Sequence, residues 1–481
     1  MGIGTGYFES SAILTWIPVI NLFFAFAIIF LERKNVTSTW AWLLVLVVLP
    51  AVGFLLYLLI GQNLRRQKLY RVRDITESRL IESVHLQANH LQHAEGLDAY
   101  RSLVHLNLVS NYSFLTQDNR VTIFASGHEK FESLLLEIRE AKQHVHLLYY
   151  MIKRDRLGMK LLDLLIQKAH EGVEVKLIYD HVGSGGLSRR QFRRLTEAGG
   201  EVRPFFPSRI PYLNWRINFR NHRKVAVIDG RVGYVGGFNI GDEYLGLDKR
   251  FGHWRDTHLQ IIGSAVYQLQ GQFFLDWFAA AREEVRLDQK FFPKLEPAGK
   301  TSIQVVASGP NSELEYIRNG YLKLIYEAKA SICLQTPYFI PDDDVLNALK
   351  IAALSGVEVR LMLPRKADHR LVQWASMSYL GELLKVGVRC FLYDRGFLHA
   401  KTIVVDGKVG VVGTANIDNR SFRLNFEISA FLYDEQQASK LQRLFEADLA
   451  DCVELTYDLY ERRSRAARIL ESLARLLSPL L

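Results

Sequence analysis

The sequence predicts an α/β protein of two similar halves behind an apolar N-terminal segment, and three observations carry that reading. From about residue 120 onward, short β-branched runs such as VEVKLIYD and KVAVID alternate with helical stretches such as MKLLDLLIQKAHEG, the pattern of an α/β fold. The order of these stretches then occurs a second time. Before either copy stand two long uncharged runs that a core of this kind does not require.

The first run, residues 12–31 (AILTWIPVINLFFAFAIIFL), carries no charge. At about 1.5 Å per residue, a helix of that length matches the roughly 30 Å hydrocarbon core of a bilayer. The second, residues 40–61 (WAWLLVLVVLPAVGFLLYLLIG), follows after ERKNVTST. Residues 1–61 are therefore expected to form a two-helix transmembrane hairpin. No basic region precedes the first run, whose first flanking cation is Arg33, so a cleaved signal peptide is disfavoured. The link offers Arg33 and Lys34, whereas Arg65, Arg66, Lys68, Arg71 and Arg73 follow the second run, which places the remainder of a multi-pass protein on the cytoplasmic side. Trp16, Trp40, Trp42 and Tyr57 suit an interfacial aromatic belt. Residues 62–119 read as a charged helical linker.

Composition narrows the partners. Lys and Arg outnumber Asp and Glu by 60 to 51, a net charge of +9, which favours an anionic partner: nucleic acid, acidic lipid or a phosphorylated substrate. Cys333, Cys390 and Cys452 are odd in number and widely spaced, which excludes a disulfide framework or a paired-cysteine metal knuckle and fits a reducing compartment.

The two copies are read as residues 120–295 and 296–460. EAKASICLQTPYFI answers EAKQHVHLLYYMI, and ALKIAALSGVEVRLML answers LLDLLIQKAHEGVEVKLIYD. Two units are too few for a solenoid, so two halves related by a pseudo-twofold axis are expected. Residues 461–481 form an amphipathic tail, either lying on a membrane surface or packing as an ordinary terminal helix.

One pattern within the repeat carries chemistry. NHRKVAVIDGRVGYVGGFNIGDEY and LHAKTIVVDGKVGVVGTANIDNRSF share His222 with His399, Lys224 with Lys401, Asp229 with Asp406, Gly236 with Gly413 and Asn239 with Asn416. Residues two apart on an extended chain project to the same face, so each copy presents an imidazole beside an ammonium. A duplicated structural hairpin would keep the Asp-Gly turn and the apolar run, but it has no use for His and Lys side by side twice. Paired cations and amides suit the growing negative charge of a phosphodiester undergoing substitution. An imidazole on each side of the phosphorus divides one difficult step between a nucleophile and a general acid.

These paired HxKxxxxD…GxxN motifs resemble the phospholipase D superfamily, and with AWLLVLVVLPAVGFLLYLLIG, FLHAKTIVVDG and VGTANIDNRSFRLNFEI the chain is similar to the bacterial cardiolipin synthases over nearly its whole length. The resemblance implies two phospholipase D-like α/β halves and transfer of a phosphatidyl group between two phosphatidylglycerol molecules, releasing glycerol. It implies a covalent phosphatidyl-histidine, with His222 favoured over His399 as nucleophile, and phosphate held by Lys224, Lys401, Asn239 and Asn416. It further implies that Asp256 and Glu427 orient the histidines. Asp229 and Asp406 complete the motifs and have a supporting character. Gly237 replaces a serine found in many superfamily members, and the second copy has Thr414 there, so a hydroxyl contact to phosphate in the first half is in doubt.

No metal, cofactor or nucleotide is expected, since exchange of one phosphodiester for another is nearly energy-neutral and no GxxxxGK[ST] loop is present. DHVGSGG (180–186) lacks the lysine of such a loop and reads as a turn. His144 and His146 alternate on a strand, but Ser331 and Cys333 replace them in the second copy, so a half-buried strand is preferred to a metal site. YLNWRINFRNHR (212–223) reads as an interfacial lip drawing in acidic head groups. The partners expected are phosphatidylglycerol and anionic membrane lipids at the bacterial cytoplasmic (inner) membrane, without nucleic acid; a homo-oligomer is left open. Hydrolysis by a phospholipase D is the alternative within the same chemistry, and a superfamily nuclease, an inactive lipid-binding scaffold and a cytidine-lipid transferase rank below it.

Overall fold

A computed structural model of the chain describes residues 6–31, 36–50, 52–60, 82–89, 99–186, 189–207, 218–283, 288–312 and 314–478. The chain divides into two compact units, Met1–Arg66 with Pro207–Phe219, and Gln67–Phe206 with Arg220–Leu481.

The described part of the first unit consists of three helices, α1 (Gly6–Leu31), α2 (Val36–Val48) and α3 (Val52–Ile60). Ile28, Trp42, Leu46 and Tyr57 form its small core, Phe24 stacks on Phe54 at 4.0 Å, and the Asn21 amide donates to Leu46 O at 3.1 Å. Residues 40–61, expected as one continuous span, are two helices: α2 ends before Pro50 and α3 begins after it. Proline has no N–H to continue the ladder and disfavours helical geometry in the residue before it. Among the described residues no helix is long and apolar enough to cross a membrane. The outward face of this unit is nevertheless apolar, with Phe23, Phe26, Leu44 and Val47 all exposed. The Trp16 side chain and the basic cluster from Arg65 to Arg73 lie outside the described residues.

The second unit carries nineteen described strands. Those of the first copy are β1 (Thr116–Phe124), β2 (His144–Tyr149), β3 (Glu174–Asp180), β4 (Glu201–Phe205), β5 (Val225–Ile228), β6 (Val232–Gly236), β7 (His253–Arg255) and β8 (His258–Ile262). Those of the second are β9 (Thr301–Ser308), β10 (Ser331–Gln335), β11 (Phe339–Ile340), β12 (Glu358–Pro364), β13 (Arg389–Tyr393), β14 (Gly396–Leu398), β15 (Thr402–Val405), β16 (Val409–Gly413), β17 (Ile417–Asp418), β18 (Glu427–Tyr433) and β19 (Cys452–Leu455). Fifteen of them make one sheet. The first copy runs β1-β8-β6-β5-β2-β3-β4 and the second β9-β18-β16-β15-β10-β12-β13, with β19 added at its outer edge. Strand for strand the orders match, including the parallel pairs β2–β3 and β10–β12. Antiparallel pairing of β1 with β9, Thr116 opposite Ile303, fuses the halves.

Every residue of β2, β5, β15 and β18 is buried, which is why these strands do not alternate apolar with exposed polar residues. The first half packs Val145, Leu147, Leu161 and Leu177 into one cluster, and the second packs Ile332, Leu334, Leu349 and Leu361. The helix Arg101–Asn111, in the segment expected as a linker, docks on the second half. Leu103, Val104 and Leu108 join that core, and Asn111 bonds both the N–H and the carbonyl of Ala307, at 3.0 and 2.9 Å. Polar Asn111 and Asn107 make this face read as solvated in the sequence.

The tail packs on the second half through one face. Helix Arg465–Leu476 lies on helix Arg370–Lys385, where Arg475 donates to Glu382 at 2.6 Å and its guanidinium sits 4.4 Å from the Tyr379 ring.

Candidate active site

The two motifs meet because segments cross between the halves. β7 of the first copy pairs in parallel with β14 of the second, Leu398 opposite Arg255, and His399 N–H donates to Arg255 O at 2.7 Å. The counterpart is the bridge between Asn221 and Phe426, where His222 N–H donates to Phe426 O at 2.9 Å. Each histidine thus follows a residue paired just ahead of the other half's acidic residue. As a result Asp256 Oδ2 lies 2.6 Å from His399 Nδ1, and Glu427 Oε1 lies 3.2 Å from His222 Nδ1. Both carboxylates are fully buried, and both rings stay partly open. With Nδ1 of each ring facing a carboxylate, Nε2 is the nitrogen left for chemistry.

The lysines sit as the two-residue spacing predicts. Lys224 donates to the carbonyl of His222 and Lys401 to that of His399. Burial pushes the Lys224 ammonium down to about 8 and Lys401 to about 7, with the proximity of Lys224 adding to the effect on Lys401. Burial, with Lys401 beside it, lowers His399 to about 4, and burial also lowers His222. Burial alone would raise Asp256 and Glu427, but His399 and Lys401 hold the first, and His222 and Lys224 the second, below the usual carboxylate range. The site's own groups are therefore two neutral imidazoles between two buried carboxylates and two reluctant cations. A phosphate anion would complete that balance.

The amides are partly committed. Asn239 accepts from Met151 N–H at 3.2 Å and donates to the Tyr244 hydroxyl at 3.0 Å. Asn416 donates to Asp418 at 3.1 Å. Each NH₂ retains a second hydrogen.

Asp229 and Asp406, the last residues of the two motifs, lie apart from the reacting groups and bond to backbone N–H groups. Asp229 and Gly230 have φ of 52° and 63°, Asp406 and Gly407 53° and 63°, and Arg231 N–H and Lys408 N–H each close the turn at 3.0 Å. This is the type I′ geometry of a two-residue hairpin. Asp229 accepts from the N–H groups of Lys142, Gln143 and His144, all at 2.8 Å. Asp406 accepts from Lys329, Ala330 and Ser331 at 2.9, 2.7 and 2.9 Å. They fasten the hairpin to the start of β2 and β10, at the end of β5 and β15 away from the histidines.

Gly237 has a steric reason. A Cβ there would stand 1.9 Å from Asp256 Oδ1. Thr414 occupies the equivalent place by turning its hydroxyl to Ile428, accepting from the N–H at 2.9 Å and facing the carbonyl at 3.2 Å. Neither residue offers a hydroxyl to phosphate.

The proposed lip is corrected in its described part. Arg220 and Arg223 are buried, pairing with Asp180 at 3.2 Å and Asp276 at 2.6 Å, so they brace the histidine segment; residues 212–217 lie outside the described residues. His144 and His146 are buried around Gln270, with contacts of 3.1 and 3.3 Å. Among the described residues no cluster is placed to hold a metal ion.

Four neighbours escaped the sequence reading. The Asn425 amide lies 3.1 Å from His222 Nδ1 and 3.1 Å from Glu427; the Tyr150 ring lies 4.3 Å from that of His222; Trp254 lies 5.2 Å from His399; and Asp418 orients Asn416. Asn425 and Trp254 each stand two residues before the acid, and side chains two apart on an extended chain share a face, so the period of two was the available signal.

A family model described as "Cardiolipin synthase, PLD-like domain" matches residues 134–252 and 321–449, and one described as "Phospholipase_D-nuclease N-terminal" matches 19–62. The chain is 48% identical over 476 residues to a cardiolipin synthase of Listeria monocytogenes serotype 4b (strain CLIP80459), covering 98% of this chain and 99% of that one. It is 48% identical over 483 residues, with the same coverage, to the major cardiolipin synthase ClsA of Bacillus subtilis (strain 168). The chain belongs to the bacterial cardiolipin synthase family. Among solved structures, the phosphatidylserine synthase of Haemophilus influenzae Rd KW20 superposes with a TM-score of 0.60 at 14% identity, covering 79% of this chain and all of that one, and shares the fold. The domain model matches once in each copy, and the crossed acids require both copies for one site.

Proposed function

We propose that this chain is a phosphatidyltransferase that joins two phosphatidylglycerol molecules into cardiolipin and glycerol. Binding of the first lipid's phosphate anion, with Asp256 at Nδ1, favours the protonated form of His399; Nε2 of His222 then attacks the phosphorus, the bond to the glycerol head group breaks, and Nε2–H of His399 gives the departing alkoxide its proton. The deprotonated His399 then takes a proton from the head-group hydroxyl of a second phosphatidylglycerol, whose oxygen displaces His222 from phosphorus. Lys224 and Lys401, with the remaining hydrogens of Asn239 and Asn416, face the nonbridging oxygens, whose charge grows in the transition state. The observation that carries this reading is the crossed pairing of Asp256 with His399 and Glu427 with His222, which turns Nε2 of both rings to a common task.

The apolar outer face of α1–α3 supports a bilayer anchor of hairpin form, in keeping with the N-terminal family match, and the basic residues after residue 61 favour a cytoplasmic catalytic part at the inner membrane. The deciding experiment is mass spectrometry of the lipids made by purified protein from labelled phosphatidylglycerol, with EDTA and no nucleotide. Cardiolipin with equimolar glycerol is expected. Phosphatidic acid as the sole product would assign hydrolysis instead.

A further inference from the structure

The C-terminal helix is built inside out. Its face against helix Arg370–Lys385 is small and polar, with Glu471 and Ala474 buried and Glu471 paired to Arg463 at 2.7 Å. Its large apolar residues point away from the protein: Ile469, Leu473 and Leu476, at the i, i+4, i+7 spacing of one helical stripe, are 61%, 55% and 75% exposed, with Leu470 and Leu477 exposed beside them. A helix of a water-soluble surface shows the reverse. Arg465 and Arg468 are exposed along the same element and Arg462 just before it, Arg468 pairing with Glu461 at 3.0 Å. The end of the helix reaches the catalytic region, since the Asn419 amide donates to Ser478 O at 3.4 Å, and Asn419 follows Asp418, the residue that orients Asn416.

We infer that helix Arg465–Leu476 docks on the surface of an anionic phospholipid bilayer, laying Ile469, Leu473 and Leu476 among the acyl chains with its arginines at the phosphate level. Three features select a lipid surface over a second copy of this chain. Arginine beside an apolar stripe is complementary to an anionic interface. The inner face is already satisfied by Glu382, Tyr379 and Arg463, so the helix is held in place with its stripe outward and needs no protein partner to order it. The stripe ends close to Ser478, whose carbonyl accepts from Asn419 next to the Asp418 that orients Asn416, so a docked helix brings the bilayer surface near the phosphate-holding residues. The choice of an anionic lipid rests on the function proposed above; the docking geometry does not.

The test uses the full chain reconstituted in phosphatidylglycerol-containing vesicles. In a Cys452→Ser background, Leu473→Cys carries an environment-sensitive fluorophore. We expect strong quenching by a quencher borne on the acyl chains and little by aqueous iodide. Strong iodide quenching would overturn the proposal, as would protection from both quenchers that varies with protein density, which is the behaviour of a protein–protein contact. In parallel, Leu473→Ser/Leu476→Ser is expected to lower turnover of vesicle phosphatidylglycerol about tenfold while sparing a short-chain, monomerically dispersed phosphatidylglycerol. Equal loss on both substrates, or no loss on vesicles, would overturn it. The quenching result does not depend on turnover, so failure of the transferase reading and failure of the docking reading are told apart.

Discussion

His222 and His399 occupy equivalent positions in two copies of one fold, yet their surroundings differ in ways that divide their labour. His399 has a single polar neighbour at Nδ1, Asp256 at 2.6 Å, itself fixed by Thr257 N–H at 2.7 Å, and is flanked by Trp254 and Phe397. His222 shares Nδ1 between Glu427 at 3.2 Å and Asn425 at 3.1 Å, with Tyr150 against its ring. A close carboxylate stabilises an imidazolium as it forms, the requirement for a proton shuttle. The looser arrangement at His222 favours a neutral ring with its lone pair available. Duplication supplied the symmetry, and the residues two positions before each acid broke it.

The largest test of that division is removal of the rings. His222→Ala is expected to lower turnover about 10⁶-fold, as loss of a nucleophile does, and His399→Ala about 10³-fold, as loss of a general acid does. Wild-type protein given labelled phosphatidylglycerol and quenched in alkaline denaturant, which preserves a phosphorus–nitrogen bond, should carry the label on His222 by peptide mapping. Label on His399 would invert the assignment.

The acids come next. Asp256→Asn is expected to cost about 10³-fold, because an amide favours the wrong tautomer, and Glu427→Gln about 30-fold, because Asn425 still contacts the ring. Gly237→Ala should fall with Asp256→Asn, since its Cβ would displace that carboxylate, whereas Thr414→Ala should lose less than about tenfold. Asn425→Ala is expected to cost about tenfold, and equal losses in the two halves across this set would show that the asymmetry has no catalytic weight.

The repeat, the α/β class and the paired His and Lys were legible because each rests on local periodicity: side chains two apart share a face, and an Asp-Gly pair between apolar runs makes a hairpin. The crossed acids were legible only through resemblance. Nothing local in HWRDTHLQI says that Asp256 will serve the histidine of the other copy; that depends on the parallel pairing of β7 with β14, a long-range contact. Arg220 and Arg223 were misread for the same reason, since Asp180 and Asp276, which bury them, are remote in sequence. Pro50 was legible as a helix break, but the uncharged run around it outweighed the signal.

Acidity sharpens the comparison further. Loss of protons from Lys401 at about 7 and Lys224 at about 8 removes the charge that binds phosphate, and protonation of His222, which burial holds below the ordinary imidazole range, takes away the lone pair that attacks phosphorus. The profile of kcat/KM, which reports the free enzyme, should therefore fall above about pH 7 and, on the acid side, only below the ordinary imidazole range. Lys401→Arg, permanently charged, should move the alkaline limb up toward that of Lys224. Lys224→Arg should leave it near pH 7. Coincident shifts in both variants would mean that the lysines titrate as one unit.

The smallest effect on turnover is expected where the halves are most alike. Asp229 and Asp406 each close an Asp-Gly turn and each accept three backbone N–H groups, so Asp229→Ala and Asp406→Ala leave three donors at the start of β2 or β10 without their partner. A typical intramolecular hydrogen bond contributes about 0.5–1.5 kcal/mol, so each variant should show a lower Tm and a lower yield of folded protein, by similar amounts in the two halves. Turnover per folded molecule should stay within about twofold of the parent. These aspartates act on the strands that carry the motif rather than on phosphorus, and loss of turnover at unchanged Tm is the result that would return them to the reacting groups.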